Sequence, residues 1–277
     1  MKKATVRRKL IATVILFIIG LAFLLPLLWM ISSSLKKSSE VFSANFTWIP
    51  KTPQYKTYVS VLNSKSIPLL QMMKNTVIIA AATIFGQLLI ASLAAYAFAC
   101  IPFRGKNIVF IMLLCAMMIP SQATLIPRFV LFSYIGLYNT HWALILPAWF
   151  SVSSVFLLRQ FYQKIPGELI EAATVDGAGH LRIWARIMLP LTRSVMTSLI
   201  ILVFIASWNE LLTPMIFLTD KKLFTVSLGI NLYNAGDQDL INKVMAAATI
   251  VTMPVIFVFL MFQKQFVEGI MTAGIKG

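Results

Sequence analysis

The feature that most restricts this chain is a series of long apolar runs free of Lys, Arg, Asp and Glu, at 10–35, 75–103, 107–127, 129–158 and 244–263. A sixth run, 194–209, continues past Glu210 to Leu218. A helix needs about 20 apolar residues to cross a bilayer core, and in lipid the backbone must satisfy its own hydrogen bonds. Runs of this length do so as helices. The expected spans are 10–31, 76–100, 107–127, 140–161, 195–218 and 244–265. The fourth starts near Thr140 because the stretch from Phe132 to Trp142 reads as interfacial. The fold class is an all-α integral membrane protein with six transmembrane helices. Pro26, Pro120, Pro147, Pro214 and Pro254 lie in or at the ends of these spans and imply kinks or broken helices, which neighbouring helices tolerate.

Composition agrees: 59% of the 277 residues are hydrophobic and 12% charged, against about 45–50% and about 25% in soluble domains. The balance of 24 Lys+Arg against 9 Asp+Glu gives +15. In a soluble chain that would suggest nucleic acid. Here, basic residues at span ends fit cytoplasmic loops and anionic headgroups, and no nucleic-acid partner is expected. With the amino terminus inside, fourteen Lys/Arg fall on inner segments and ten outside, six of those ten in the loop 32–75. Setting that loop aside leaves fourteen against four, the direction of the positive-inside rule. Both termini are therefore expected in the cytoplasm, with the chain a multi-pass membrane protein. The start, MKKATVRRKL, imitates a secretory signal, but the apolar stretch after it is too long and lacks a small-residue cleavage site. It reads as an uncleaved first span. Cys100 and Cys115 form no zinc or disulfide spacing. The organisation expected is an N-terminus and first helix (1–31), an outer loop (32–75), a core (76–265) and a cytoplasmic tail (266–277).

Between the fourth and fifth spans lies the largest inner segment, 162–194, which contains EAATVDGAGHLRIWARIMLP (171–190). Ala, Leu and Glu after Pro166-Gly167 favour a helix. Asp176-Gly177 ends it, because glycine accepts the left-handed conformation of a helix C-terminus. A second helix is expected to bury Leu181, Trp184, Ile187 and Met188, to carry Arg182 and Arg186 on another face, and to stop at Pro190. The segment predicts a cytoplasmic helical hairpin with one apolar face buried and another presented to solvent.

Glu171-Ala172-Ala173, Asp176-Gly177-Ala178, the aromatic Trp184, Ile187 and Leu189-Pro190 resemble the EAA loop of ABC importer permeases. MIPSQATLIP (118–127), HWALILP (141–147), WNELL (208–212), TAGIKG (272–277) and WIPKTPQYKTY (48–58) are similar to the carbohydrate-importer branch related to the maltose system, and to its shorter, six-span permease. The resemblance implies a heterodimer with a second permease, two copies of a separate ATPase that binds ATP and Mg, and an extracytoplasmic solute-binding protein that delivers a sugar or oligosaccharide. It also implies that Glu171, Ala172, Ala173, Asp176, Gly177, Ala178, Leu189 and Pro190 form the ATPase-coupling element, and that the tail can reach the ATPase.

The chain itself carries no recognisable catalytic apparatus. Gly105-Lys106 lacks the upstream glycine of a P-loop, Cys100 standing there, and Asn107 follows in place of Ser or Thr. Glu171, Asp176 and His180 do not share one helix face, so no metal site and no resident cofactor are expected. Glu210 is the one acidic residue inside an expected span. An intramembrane carboxylate points to function by default, so Trp208, Asn209 and Glu210 are candidates for the translocation path. The other reading pairs Glu210 with a polar group at the subunit interface or sets it in an outer aqueous rim. An ABC permease for a peptide or amino acid, and a self-sufficient secondary transporter, are the competing functions.

Overall fold

A computed structural model describes residues 2–43, 47–234 and 240–274, with side chains placed at 8–43, 47–233 and 240–264. The order is α1 (Lys2–Ser34), α2 (Ser38–Val41), α3 (Lys56–Leu62), α4 (Leu69–Cys100), α5 (Lys106–Ala116), and, after a 3-10 turn at Ser121–Thr124, α6 (Leu125–Tyr134). Then come α7 (Trp142–Ala148), α8 (Val152–Tyr162), α9 (Gly167–Val175), α10 (His180–Ile183), a π-helical turn at Trp184–Met188, and α11 (Leu189–Leu191). The chain continues through α12 (Arg193–Asn209), α13 (Leu212–Phe217), a 3-10 turn at Lys221–Leu223, α14 (Val226–Asn234) and α15 (Ile241–Gly274). Among the described residues there is no strand.

Among the described residues, four helical stretches are long and apolar enough to cross a membrane: Arg8–Ser34, Leu69–Cys100, Trp142–Tyr162 and Ile241–Lys264. Two bent pairs, Lys106–Ala116 with Ser121–Tyr134 (88°) and His180–Leu191 with Arg193–Asn209 (80°), raise the number to six if each is one span. The third and fifth expected spans therefore need correction. The helix expected over 107–127 stops at Ala116, and the one expected over 195–218 stops at Asn209. The fourth also opens, at 149–151. Proline alone does not explain these breaks, since Pro26 and Pro254 lie inside unbroken α1 and α15. The tail expected from 266 onward continues the helix to Gly274; its side chains and residues 275–277 lie outside the described part.

The chain divides into two compact units, residues 1–70 with 229–253 and residues 71–228 with 254–277. In the first, α1 leaves its 18-residue apolar window wholly uncovered, as a lipid-facing helix must. The polar segment after it is ordered by hydrogen bonds. Asn242 of α15 donates to the Lys36 carbonyl (3.0 Å) and accepts from the Ser38 hydroxyl (2.9 Å), the Gln54 amide donates to the Leu35 carbonyl (2.8 Å), and the Ser34 and Tyr58 hydroxyls are 2.7 Å apart. Val41, Thr57 and Val61 are buried there.

In the second unit, the main core joins Leu88, Ala91, Ala95, Tyr96 and Phe98 of α4 with Phe110, Val155, Leu158 and Tyr162, and with Ile183, Met188, Val195 and Leu199. Arg159 ties three helices at this core. Its Nε donates to the Phe98 carbonyl at 3.2 Å, and its guanidinium lies 3.9 Å over the Phe110 ring. The loop after α13 is fixed by side chains from elsewhere. Asn75 donates to the Lys222 and Phe224 carbonyls (2.7 and 3.0 Å), and Asn139, at φ 56°, accepts from the Thr219 and Asp220 amides (2.9 and 3.0 Å).

Candidate functional site

Three helix breaks meet at one cavity of about 740 Å³ in the second unit. Ser121 and Gln122, after the break at 117–120, contribute to its wall. So do Ala148, Phe150 and Ser151 at the α7–α8 break, and Glu210 and Leu212 at the α12–α13 break. Irregular backbone at membrane depth is tolerated where protein buries it or where it lines a wet cavity, and this wall sets polar side chains among apolar ones. Thr83 and Gln87 enter from α4, Arg128 from α6, and Leu199, Val203, Ala206 and Ser207 from α12.

Two of the breaks are built by residues that line the cavity. Ser151 Oγ accepts from the Ser154 amide (3.3 Å) and so caps α8. Glu210, with φ −65° and ψ 120°, ends α12, and its Oε1 accepts from the Thr213 amide (2.9 Å) in the first turn of α13. Gln87, 7% exposed, donates to Ser154 Oγ at 2.7 Å, and Ser154 lies 3.0 Å from Ser151 Oγ. Two polar atoms of the lining remain without partners among the described residues, Arg128 Nε and Thr225 Oγ1, both buried. Buried polar atoms are ordinarily paired, so these two are exceptions in the wall.

Of the three path candidates, only Glu210 lines this cavity. Trp208 is 2% exposed and packs on Phe204 at 5.3 Å between ring centroids; its carbonyl accepts from Ser227 Oγ (2.6 Å). Asn209 is exposed and donates to the Ile205 carbonyl of its own helix (2.9 Å). Arg128, Gln87, Ser151 and Ser154 were not singled out from the sequence. The signal available was a lone arginine at 128 between two apolar runs.

The second candidate element is the hairpin α9–α11. Its reversal is a Schellman turn: the Ala178 amide donates to the Ala173 carbonyl (2.9 Å), the Gly177 amide to that of Thr174 (3.0 Å), and Gly177 takes φ 78°. Ala173 and Ala178, the pair this turn brings together, are half-buried against the main core. Glu171, Ala172 and Asp176 are exposed. His180 Nδ1 lies 3.1 Å from the Tyr96 hydroxyl, which ties the second helix to α4.

The second helix does not stop at Pro190; it runs to Leu191. Pro190 has no N–H for the Arg186 carbonyl, and its ring would crowd that carbonyl in a regular helix. The π turn, with the Leu189 amide bonded to the Trp184 carbonyl, widens the coil just ahead of it. The wider turn also shifts the buried face. Ile183 and Met188, five apart, are buried, Trp184 and Ile187 are half-buried, and Leu181, expected inside, is 72% exposed. Leu189 is half-buried and Pro190 exposed. The outward surface thus combines Glu171 and Ala172 with the apolar Leu169, Val175 (88% exposed) and Leu181.

One helix joins the two elements. After the bend at Thr192, α12 runs from Arg193 to the break at Glu210 and gives Leu199, Leu202, Val203, Ala206 and Ser207 to the cavity wall.

Known proteins resemble this chain in sequence and in fold. The family described as "Binding-protein-dependent transport system inner membrane component" matches residues 87–271. The arabinooligosaccharides transport system permease protein AraQ of Bacillus subtilis is 31% identical over 267 residues, covering 96% of this chain and 95% of AraQ. The sn-glycerol-3-phosphate transport system permease protein UgpE of Yersinia pestis is 31% identical over 263 residues, covering 92% and 94%. A chain of a bacterial ABC transporter involved in alginate import shares the fold, with TM-score 0.83 at 20% identity over 93% of this chain and 96% of that one. With a helical membrane fold, a match over most of its length and relatives above 30% identity, this chain belongs to the inner-membrane components of binding-protein-dependent transport systems, the permease subunits of ABC importers.

Proposed function

We propose that this chain forms half of the translocation pathway of an ATP-driven importer for a sugar or oligosaccharide. Its partners in this reading are a second, related permease, two ATPase subunits that hold ATP and Mg, and an extracytoplasmic binding protein that delivers the cargo. The chain crosses the membrane six times, each bent pair counting as one span, with both termini and the hairpin in the cytoplasm. The segment 32–75 faces outward, 76–265 is the transport core, and the tail from 266 points toward the ATPase. Glu171, Ala172, Ala173, Asp176, Gly177, Ala178, Leu189 and Pro190 make the coupling joint, and Glu210 lines the path.

The observation that carries this reading is the continuity of α12. Its 17 residues rise about 25 Å at 1.5 Å each, from the hairpin to the cavity wall. A push on the hairpin is therefore delivered to Glu210 and the break behind it. The name of AraQ, together with the sugar-type segments of the sequence, supports carbohydrate as cargo. UgpE, at equal identity, favours a second reading in which the cargo is a phosphorylated polyol.

Reconstitution tests both readings. Alone in liposomes, the chain should move no solute. With the second permease, the ATPase and the binding protein it should show cargo-stimulated ATP hydrolysis and uptake of carbohydrate. Robust uptake by the lone chain would instead make it a self-sufficient secondary transporter, and uptake confined to glycerol phosphate would establish the second cargo reading.

A further inference from the structure

Among the described residues, the cavity wall carries one cationic and one anionic side chain, Arg128 and Glu210. The Arg128 guanidinium lies 5.1 Å over the Phe217 ring, while its Nε is buried and has no hydrogen-bond partner among the described residues. Among those residues the Glu210 carboxylate makes one hydrogen bond, through Oε1 to the Thr213 amide. The wall's other polar side chains are hydroxyls and amides, among them Thr83, Gln87, Gln122, Ser151, Ser154 and Ser207.

A guanidinium only donates hydrogen bonds and a carboxylate only accepts them, whereas a hydroxyl does both. A lone arginine in such a wall selects an anion, and a lone glutamate a cation. Together they cancel as charges but remain two strong, complementary hydrogen-bonding groups. Ions then gain little from the cavity's field and still pay for desolvation, while a polyol can accept from Arg128 and donate to Glu210.

We infer that Arg128 and Glu210 act as a specificity-determining pair, making this subunit's cavity select a neutral polyhydroxyl cargo over an acidic one. The inference rests on the importer reading above and adds the charge class of the cargo and the residues that set it.

The test measures retention of three labelled probes by the assembled membrane complex in nanodiscs, without the binding protein, so that only the pathway selects. The probes are maltotriose as the neutral sugar, trigalacturonate as a carboxylate and glycerol 3-phosphate as a phosphate. The wild-type complex should prefer maltotriose. Glu210→Gln, which keeps an oxygen for the Thr213 amide, should raise affinity for both anions about ten- to a hundredfold, the scale of one charge-assisted contact. Arg128→Gln should weaken maltotriose and gain neither anion. The double variant should return to a neutral preference at lower affinity, a non-additivity expected of an interacting pair. Unchanged preferences in both single variants, in complexes that still assemble and hydrolyse ATP, would overturn the inference while leaving the importer reading intact. So would a wild-type preference for either anion. A wild-type complex that transports no carbohydrate would overturn the importer reading, and this inference with it.

Discussion

The ring of Trp149 fills the space a side chain would need at Gly86. Its Nε1 donates to the Ala82 carbonyl at 3.0 Å, and a β-carbon on Gly86 would stand 2.1 Å from the indole. Trp149 is the first residue of the α7–α8 break, and its neighbours Ala148 and Phe150 line the cavity. The glycine thus holds open a slot in α4 that anchors the irregular backbone of another helix. Gly86→Ala should expel the indole, at an overpacking cost of about 1–3 kcal/mol. The expected result is an importer that assembles but takes up its cargo poorly, with uptake partly restored by adding Trp149→Leu. Normal uptake by Gly86→Ala alone would show that the slot does not position the break.

Arg159 is expected to stabilise the core beside the hairpin. Arg159→Ala removes the hydrogen bond to the Phe98 carbonyl and the cation–π contact with Phe110, a loss of about 2 kcal/mol. Arg159→Lys keeps the charge but not the planar stack and should fall between the two. Thermal melting of the purified complex checks this order: wild type highest, lysine intermediate, alanine lowest.

The inward orientation of the hairpin is tested by labelling. In a background with Cys100 and Cys115 replaced by alanine, a cysteine at Ser39, which is exposed, should react with an impermeant thiol reagent added outside. One at Gly179, also exposed, should react only after permeabilisation. The opposite pattern would invert the topology.

The apolar runs announced helices because a charge-free stretch has few other options in lipid, and Gly177 announced the reversal because only its backbone accepts φ 78° there without strain. The breaks were harder to read. Five prolines suggested five kinks, yet Pro26 and Pro254 lie in continuous helix, while two breaks carry side-chain caps from Ser151 and Glu210. A serine in an apolar run looks the same whether it caps a break or bonds its own helix, as Ser198 does to the Ser194 carbonyl. Arg128 escaped notice for a related reason. Its role depends on Phe217 and Glu210, more than eighty residues away, and no local pattern connects them. The π turn was hidden as well, since Pro190 reads as a stop unless the coil ahead of it widens.

In the proposed function the hairpin transmits ATPase movement to the cavity through α12. A β-carbon at a left-handed glycine costs about 1–2 kcal/mol, which a packed helical core withstands but a docking joint does not. Nothing within 4 Å blocks a side chain at Gly177, so Gly177→Val acts through the backbone alone. Glu171 is exposed on the outward face, and Glu171→Lys reverses its charge there. Loss of a charge-assisted contact should weaken docking about ten- to a hundredfold. The direct measurement is ATPase co-purification beside cargo uptake for each variant, with pairing to the second permease as the control. The account predicts intact pairing in both variants, with weakened ATPase association or hydrolysis uncoupled from uptake. Normal association and normal uptake in both would contradict it.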